Sequence, residues 1–382
     1  MAEIKFALRG VALAALVLAS TTAPARAQDG EQNSAFKLSG FVSVVGGKVL
    51  GSHLGDDYVG ESALAGVDCP CYTADWHNAG VYDRSFSLEP ESRAGLQARY
   101  SINRDLSLTT QIVVRGTDPT PNVQWAYAAW SISKNLEMQI GRKRIPLYFY
   151  SDFQDIGVSY PWVAVPPELY GWEVANYNGA SIRYKGALGD TNFNASLFTG
   201  GETLKDSEYY KLFSTGDTKI RWKKLVGGDV ELTRGPLTAR MVYMQARVRA
   251  LNPSIELDEG ARLKAYGLAV NLDFDDWFML SELTQLTRDI DADYRVTAPA
   301  LTIGAGYRIG AWTPFINYAR YTERSTDIDA YAPTSWTRAS ATLRYDLDAR
   351  SALKLQLDRH RDTTRNFGGD VNVFRIAYDR LF

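Results

Sequence analysis

The stretch Arg-Lys-Arg-Ile-Pro-Leu-Tyr-Phe-Tyr-Ser-Asp-Phe-Gln-Asp at residues 142–155 opens a long interruption in an otherwise regular sequence. The interruption continues through Tyr160-Pro-Trp162 and Pro166-Pro-Glu-Leu-Tyr170, and it ends near Asn178. Aromatic, proline and carboxylate side chains dominate it, whereas short segments of alternating character surround it. Ordered inserts of this length are usually functional. We therefore predict that the surrounding segments form a wall and that the insert folds into the enclosed space.

Apolar and polar residues alternate from Phe36 to the end of the chain, which is typical of β-strands with two different faces. In the first segment Phe36 and Leu38 lie on one face, and Lys37 and Ser39 lie on the other. Tight polar or glycine turns and longer polar loops follow these segments in turn. About sixteen segments fit this scheme. The pattern predicts an all-β fold, a transmembrane antiparallel β-barrel with turns on one side and long loops on the other.

Composition leaves a soluble alternative open. The mean hydropathy of −0.24 suits a soluble protein as well as a barrel with one polar face. A secreted protein of stacked β-sandwiches has similar strand spacing, but it needs domain boundaries, and the sequence has no linker or low-complexity segment. The 42 basic and 44 acidic residues give no basic excess, which argues against a nucleic-acid partner. One large barrel fits these observations best.

The amino-terminal residues predict export. Basic residues precede an apolar run at residues 11–19, and Ala25 and Ala27 occupy the small-residue positions of a cleavage site. This pattern predicts a secretory signal peptide at residues 1–27 and a barrel domain at residues 28–382. A signal anchor is the weaker alternative, because a membrane-spanning helix needs about 20 apolar residues.

The last strand carries a further indication. Phe374, Ile376, Tyr378 and Phe382 share one parity, so their side chains lie on one face of a strand. This strand resembles the C-terminal strand of Gram-negative outer-membrane barrels, although Arg380 stands where those proteins usually have an apolar residue. With the signal peptide, the resemblance implies export through the periplasm to the cell outer membrane.

If the apolar parity faces lipid, the opposite parity lines the interior and is rich in arginine. The inward basic cluster comprises Arg93, Arg99, Arg115, Arg338, Arg344 and Arg375. These residues lie near the two ends of the chain, which become neighbours when a barrel closes. The insert supplies the opposite charge through Asp152, Asp155, Glu168 and Glu173.

The insert is the third long loop by position, and in this the chain resembles Gram-negative porins. Residues 141–152 also resemble a recurrent segment of certain proteobacterial porins. The resemblance implies that the third outer loop folds into the lumen and sets its carboxylates opposite wall arginines. It also implies passive diffusion of small hydrophilic solutes and ions, a homotrimer, contact with outer-membrane lipid and lipopolysaccharide, and no cofactor.

Two alternatives concern function. In a channel specific for a sugar, an anion or an organic acid, the aromatic residues Tyr148, Tyr150, Tyr160 and Trp162 would form a sliding surface. In a barrel hydrolase, His360 and Asp358 share one strand face, but a nucleophile within hydrogen-bond reach is also required. We expect a pore with no catalytic residues.

Cys69-Pro70-Cys71 lies in the first long loop together with His53 and His77. The pair predicts a disulfide formed in an oxidising compartment. A zinc site and a bridge to another chain are the alternatives, but the histidine spacing fits no standard zinc motif. We therefore expect no metal.

Overall fold

The computed structural model describes residues 35–53, 64, 67, 69–214, 216–291, 293–363 and 369–382. The signal peptide predicted at residues 1–27 lies outside the described residues. Among the residues described, no helix combines the length and the apolar character needed to cross a membrane.

The described chain is built almost entirely of strands. In chain order they are β1 (Phe36–His53), β2 (Tyr72–Asp75), β3 (Gly80–Tyr82), β4 (Arg93–Ser101), β5 (Leu106–Arg115), β6 (Asn122–Ser131), β7 (Leu136–Arg144), β8 (Asn176–Leu188), β9 (Thr191–Leu204), β10 (Lys219–Arg234), β11 (Leu237–Asn252), β12 (Leu257–Asp273), β13 (Trp277–Ile290), β14 (Arg295–Tyr307), β15 (Trp312–Thr322), β16 (Arg324–Ser325), β17 (Ser335–Asp348), β18 (Ser351–Asp362) and β19 (Asp370–Leu381). The helical elements are single turns at Ser151–Phe153, Gly157–Ser159, Pro167–Tyr170, Glu208–Lys211 and Pro253–Ile255.

Sixteen of these strands, β1, β4–β15 and β17–β19, form a closed antiparallel barrel. Closure occurs at β1, where Phe41 pairs with Gly95 of β4 on one side and with Leu381 of β19 on the other. Closure pairs the backbone donors and acceptors of every strand, as a hydrocarbon environment requires. The predicted barrel of about sixteen strands is confirmed. The short β16 pairs with residues near the start of β14. Strands β2 and β3 form a separate hairpin in the first long loop.

The two faces of the barrel wall differ in chemistry as the alternation predicts. In β18, Leu355 and Leu357 are 45% and 55% exposed on the outer face. The alternate residues Gln356 and Asp358 point inward and are 1% and 3% exposed. Such an outer surface suits lipid, and such an interior suits water and charge.

Short turns join the strands on one side of the barrel, as predicted. Longer loops lie on the other side, but the connections after β11 (residues 253–256) and after β13 (residues 291–294) are as short as some of the turns. The turns Gly189-Asp190 and Gly235-Pro236 each join two strands, and both glycines have positive φ values of 55° and 52°. Glycine adopts this left-handed conformation without steric cost, which suits two-residue hairpins. On the opposite side, residues 145–175 form the third long loop, between β7 and β8. We call this segment the third loop.

Candidate functional site

The third loop has a buried aromatic core. The ring of Tyr150 packs edge-on against Tyr160 and Trp162, with centroids 6.0 and 5.5 Å apart. Tyr148 and Tyr150 are each 7% exposed, Tyr160 is 2% exposed and Trp162 is 1% exposed. The alternative in which these four rings form a sliding surface for solutes does not fit this burial. The rings instead pack the loop against itself and against Phe315 of the wall.

Asp155, in the third loop, receives three guanidinium groups. Arg115 Nη1 lies 2.8 Å from its Oδ1, and Arg144 contacts its Oδ2. Arg93 Nε lies 3.9 Å from Oδ1 and also donates a hydrogen bond of 2.8 Å to the Asp155 carbonyl oxygen. Burial alone would raise the pKa of Asp155, but Arg115 and Arg144 hold that pKa well below its usual range. Asp155 therefore stays ionised, and its ion pairs with Arg115 and Arg144 fix this end of the loop.

A chain of buried ion pairs fixes the other end of the loop. Arg338 of β17 donates from Nε to Glu168 Oε1 at 2.9 Å and from Nη1 to Asp358 Oδ1 at 2.8 Å. Arg375 of β19 contacts Asp358 Oδ2 at 2.8 Å and Glu91 Oε1 at 2.7 Å. Loop and wall therefore meet at Glu168 and Arg338. Arg375 pairs with carboxylates outside the third loop.

Lys354 of β18 holds the middle of the loop through backbone carbonyls. Its Nζ donates to the oxygens of Gly157 at 2.6 Å and Trp162 at 2.7 Å, and it pairs with Asp379 Oδ2 at 2.9 Å. Gly157 lies so close to the Asp379 carboxylate that any side chain at this position would clash. The glycine allows the loop to approach β19 closely.

Arg344 and Arg99, which the sequence places in one cluster, have different surroundings. Arg344 Nη1 donates to the carbonyl oxygens of Val158 at 2.8 Å and Tyr160 at 3.0 Å, so it binds the loop backbone. Arg99 is exposed, and its Nη2 lies 3.4 Å from Ser107 Oγ on the neighbouring strand. Arg99 makes no hydrogen bond or ion pair with the described part of the third loop.

Two wall residues that the sequence analysis did not select also hold the loop. Arg240 of β11 donates from Nη1 to the Tyr148 carbonyl oxygen at 2.7 Å. Glu282 of β13 accepts from the Phe149 amide at 2.8 Å and from the Tyr170 hydroxyl at 2.6 Å. Both residues follow the inward parity of their strands. That parity was the one sequence signal that could have indicated their contact with the loop.

Asp152 and Glu173 do not join these pairs. Asp152 makes no ion pair among the described residues, and it lines a cavity of about 270 Å³ beside β8–β11. Glu173 lines a second cavity, of about 380 Å³, near the long loops. Burial raises the pKa of Glu173 above its usual value, and Arg288 opposes this shift. The four predicted loop carboxylates thus occupy distinct environments.

The first long loop contains the predicted cysteine pair. Cys69 and Cys71 are joined by a disulfide. His77 Nδ1 lies 2.9 Å from the Trp172 carbonyl oxygen, while the side chain of His53 is outside the described residues. No cluster of three or more potential metal ligands occurs in the described residues.

His360 of β18 is buried. Its ring packs edge-on against Tyr72 of the β2–β3 hairpin, with centroids 5.5 Å apart. Within the described residues its Nδ1 has no hydrogen-bond partner.

A closed barrel with an apolar outer face, a charged interior and a long loop tied to that interior defines the class of outer-membrane channel proteins. The sequence profile of the Gram-negative porins matches residues 12–365, and the chain belongs to this family. It is therefore a multi-pass β-barrel of the outer membrane and a channel for small solutes.

Solved structures share the fold at low sequence identity. An anion-selective porin from Comamonas acidovorans has a TM-score of 0.58 at 15% identity, covering 91% of this chain and 99% of that chain. The outer-membrane channel DcaP of Acinetobacter baumannii has a TM-score of 0.58 at 11% identity, covering 91% and 97%. OmpF of Salmonella typhi, in complex with daunomycin, has a TM-score of 0.57 at 12% identity, with the same coverage. No curated protein matches the chain significantly.

Proposed function

We propose that the third loop narrows this channel to a passage beside β8–β11, through which small hydrophilic solutes and ions diffuse passively. The observation that supports this proposal is that the loop is packed tightly against one side of the barrel and loosely against the other. Towards β17–β19, Arg338, Arg375 and Lys354 are 0%, 0% and 1% exposed, so they leave no room for solvent. Towards β8–β11 a cavity of about 270 Å³ remains.

Side chains of both charges line this passage. Its basic residues include Lys143, Arg183, Lys185 and Arg240, and its acidic residues are Asp152, Asp229 and Glu231. Arg240 pairs with Asp229 at 3.3 Å. A passage with charges of both signs favours polar solutes over apolar ones, and charges at a constriction bias ion selectivity. Asp152 is the predicted constriction carboxylate on this side of the loop.

The same proposal covers assembly and surroundings. We infer a homotrimer in which the apolar outer face contacts outer-membrane lipid and lipopolysaccharide. One solved structure with this fold, OmpT of Vibrio cholerae in its trimer form, has a TM-score of 0.56 at 12% identity, covering 91% of this chain and 100% of that chain. We further propose that the chain catalyses no reaction, since His360 packs against Tyr72 in the described structure.

Charge reversal inside and outside the passage tests the proposed route. Arg183 lines the passage and makes no ion pair among the described residues, so Arg183→Glu changes the local charge without breaking a pair. We expect the reversal potential of single channels in a KCl gradient to move towards cation selectivity. Arg99→Glu is the matched control, because Arg99 is an inward arginine that does not line this cavity.

The control variant should shift the reversal potential much less than Arg183→Glu. Equal shifts in the two variants would place the selective region elsewhere. Unchanged selectivity in Arg183→Glu, with a folded and conducting barrel, would show that solutes do not pass beside β8.

A further inference from the structure

A second cavity lies apart from the proposed passage, where several long loops meet. Its volume is about 380 Å³, a size typical of small-molecule sites. It is formed by the first long loop, the third loop, the loops after β9 and β15, and the adjoining ends of barrel strands. The residues that carry the argument are Trp76, Trp172, Glu173, Arg288, Glu323 and Trp336.

One side of this cavity is a stack of aromatic rings. Tyr321 and Trp336 stack with centroids 4.4 Å apart, and Trp336 stacks on Trp76 at 5.2 Å. Phe213 continues the stack from Trp76 at 6.1 Å, with an interplanar angle of 4°. The four rings come from distant parts of the chain. Each tryptophan ring stacks with two neighbours, so the rings give the cavity an apolar lining rather than free ring faces.

The cavity already accommodates one cation. The guanidinium carbon of Arg288 lies 5.6 Å from the ring centroids of both Trp172 and Tyr331. Arg288 also donates to the Tyr331 hydroxyl at 3.2 Å and lies 3.5 Å from Glu323 Oε1. These contacts show that the aromatic rings and carboxylates of the cavity are placed so that they stabilise positive charge.

Carboxylates outnumber this single guanidinium. The cavity is lined by Glu168, Glu173, Glu259 and Glu323. Arg338 neutralises Glu168, which leaves three carboxylates and Arg288. Glu173 is 5% exposed and has no ion-pair partner in the described part of the chain. A buried carboxylate without a paired cation is costly, and a bound cation would remove that cost.

We propose that this outer cavity binds organic cations, with an ammonium group at Glu173 and an attached apolar or aromatic group against the apolar lining to which Trp76 and Trp336 contribute. The excess of carboxylates disfavours anions. Neutral aromatic solutes gain only the ring contacts, and sugars lack the charge that Glu173 would pair. The proposed site does not depend on the passage beside β8–β11, so either proposal can fail alone.

Direct titration of the refolded mature protein in detergent micelles tests the proposal. Benzyltrimethylammonium is the cationic ligand, since its charge does not change with pH. Benzyl alcohol, benzenesulfonate and maltose are the neutral, anionic and sugar comparisons. We expect saturable quenching of tryptophan fluorescence by the cation, at least about tenfold tighter than for any comparison ligand. Equal affinities, or binding of maltose or benzenesulfonate in preference to the cation, would overturn the proposal.

Glu173→Gln locates the site, because it removes the charge and keeps the shape of the side chain. Loss of the attraction between the carboxylate charge and the ammonium should weaken benzyltrimethylammonium binding by about tenfold. Glu208→Gln is the matched control. Glu208 lies on the loop after β9 and pairs with Lys211 at 2.7 Å outside the cavity lining, so cation affinity should not change. Unchanged affinity in a folded Glu173→Gln barrel would refute this location.

If Glu173→Gln does not fold, the four-ligand comparison on the unchanged protein still decides the proposal. Isothermal titration calorimetry at low and high salt adds a second measurement. The affinity for the cation should fall as salt rises, whereas the affinity for benzyl alcohol should not. The same salt dependence for both ligands would contradict a charge-based site.

Discussion

Asp155 shows how a single carboxylate can hold a long loop. Three guanidinium groups, from Arg93, Arg115 and Arg144, converge on it while it is almost fully buried. A buried anion is stable only with such partners. Strand parity predicted that Arg93 and Arg115 face inward. Arg144 is the last residue of β7, where the strand runs into the loop, and the alternation gave no indication of its role.

The acid response of the channel follows from this arrangement. The pKa of Asp155 is lower in the folded protein than in the unfolded chain, because the guanidiniums outweigh the effect of burial. The stabilisation is therefore fully present above the unfolded value, about pH 3.9, and is lost as the pH falls through the folded value. We expect steady single-channel currents from about pH 7 to about pH 5 and increased current noise only below about pH 4.

Asp155→Asn provides the control for this prediction. It removes the charge at every pH and leaves three buried guanidiniums without their partner, at a cost of about 3–5 kcal/mol. Its channels should be noisy already at neutral pH. Wild-type noise that rises between about pH 7 and about pH 5 would point to a group other than Asp155.

Strand parity predicted which face of the sheet a side chain lies on, but not which partner that side chain contacts. Arg99 and Arg338 both follow the inward parity of their strands. Arg338 is fully buried against Glu168, whereas Arg99 is exposed beside Ser107. Period-two alternation assigns a face of the sheet but not the position along the barrel axis relative to a loop. For this reason the sequence could not separate anchoring arginines from solvated ones.

The third loop combines a predictable position with an unpredictable interior. Counting turns and loops was enough to place it between β7 and β8. The orientation of its aromatic rings depends on partners that are remote in sequence, such as Phe315, whose ring centroid lies 5.3 Å from that of Trp162. Composition showed that aromatic residues were abundant but not whether they faced solvent. The same limitation applies to Glu282 and Arg240, whose loop contacts depend on the loop's path.

At the level of this loop, Arg338→Gln should release the Glu168 end. The change leaves Glu168 buried without an ion pair, which costs about 3–5 kcal/mol locally. We expect larger and more variable single-channel conductance. Arg99→Gln is the matched control and should conduct like the wild type, since it breaks only a 3.4 Å contact with Ser107. Identical conductance in both variants, with folding shown by heat-modifiable migration, would contradict anchoring by Arg338.

At the level of the molecule, the barrel is the most predictable feature. Its alternating pattern is repeated in every strand, so errors in a single segment do not change the assignment. The hairpin of β2 and β3 was missed, because it forms within a long loop and its strands have only four and three residues. Short strands carry too few alternations to be distinguished from polar loop sequence.

The lipid-facing surface makes a quantitative prediction. Leu283 lies in the middle of β13 and is 51% exposed on the outer face. An arginine at the bilayer midplane costs about 2–4 kcal/mol in such barrels, so Leu283→Arg should lower the free energy of unfolding by that amount. The measurement is urea unfolding of the protein in lipid vesicles.

Leu237→Arg is the control, with the same chemical change at the first residue of β11. Near the membrane interface the cost should be only about 0–1 kcal/mol. Equal costs at the two positions would show that the barrel does not sit in the bilayer with the middle of β13 at its midplane.

The loop's anchors differ in how far along the chain they must reach. Arg144, Arg115 and Arg93 lie 11, 40 and 62 residues from Asp155. Arg338 lies 170 residues from Glu168, and Lys354 lies 197 residues from Gly157. Closing a longer segment of chain costs more entropy. The Asp155 end of the loop can therefore form its contacts at a lower entropic cost than the end that depends on β17 and β18.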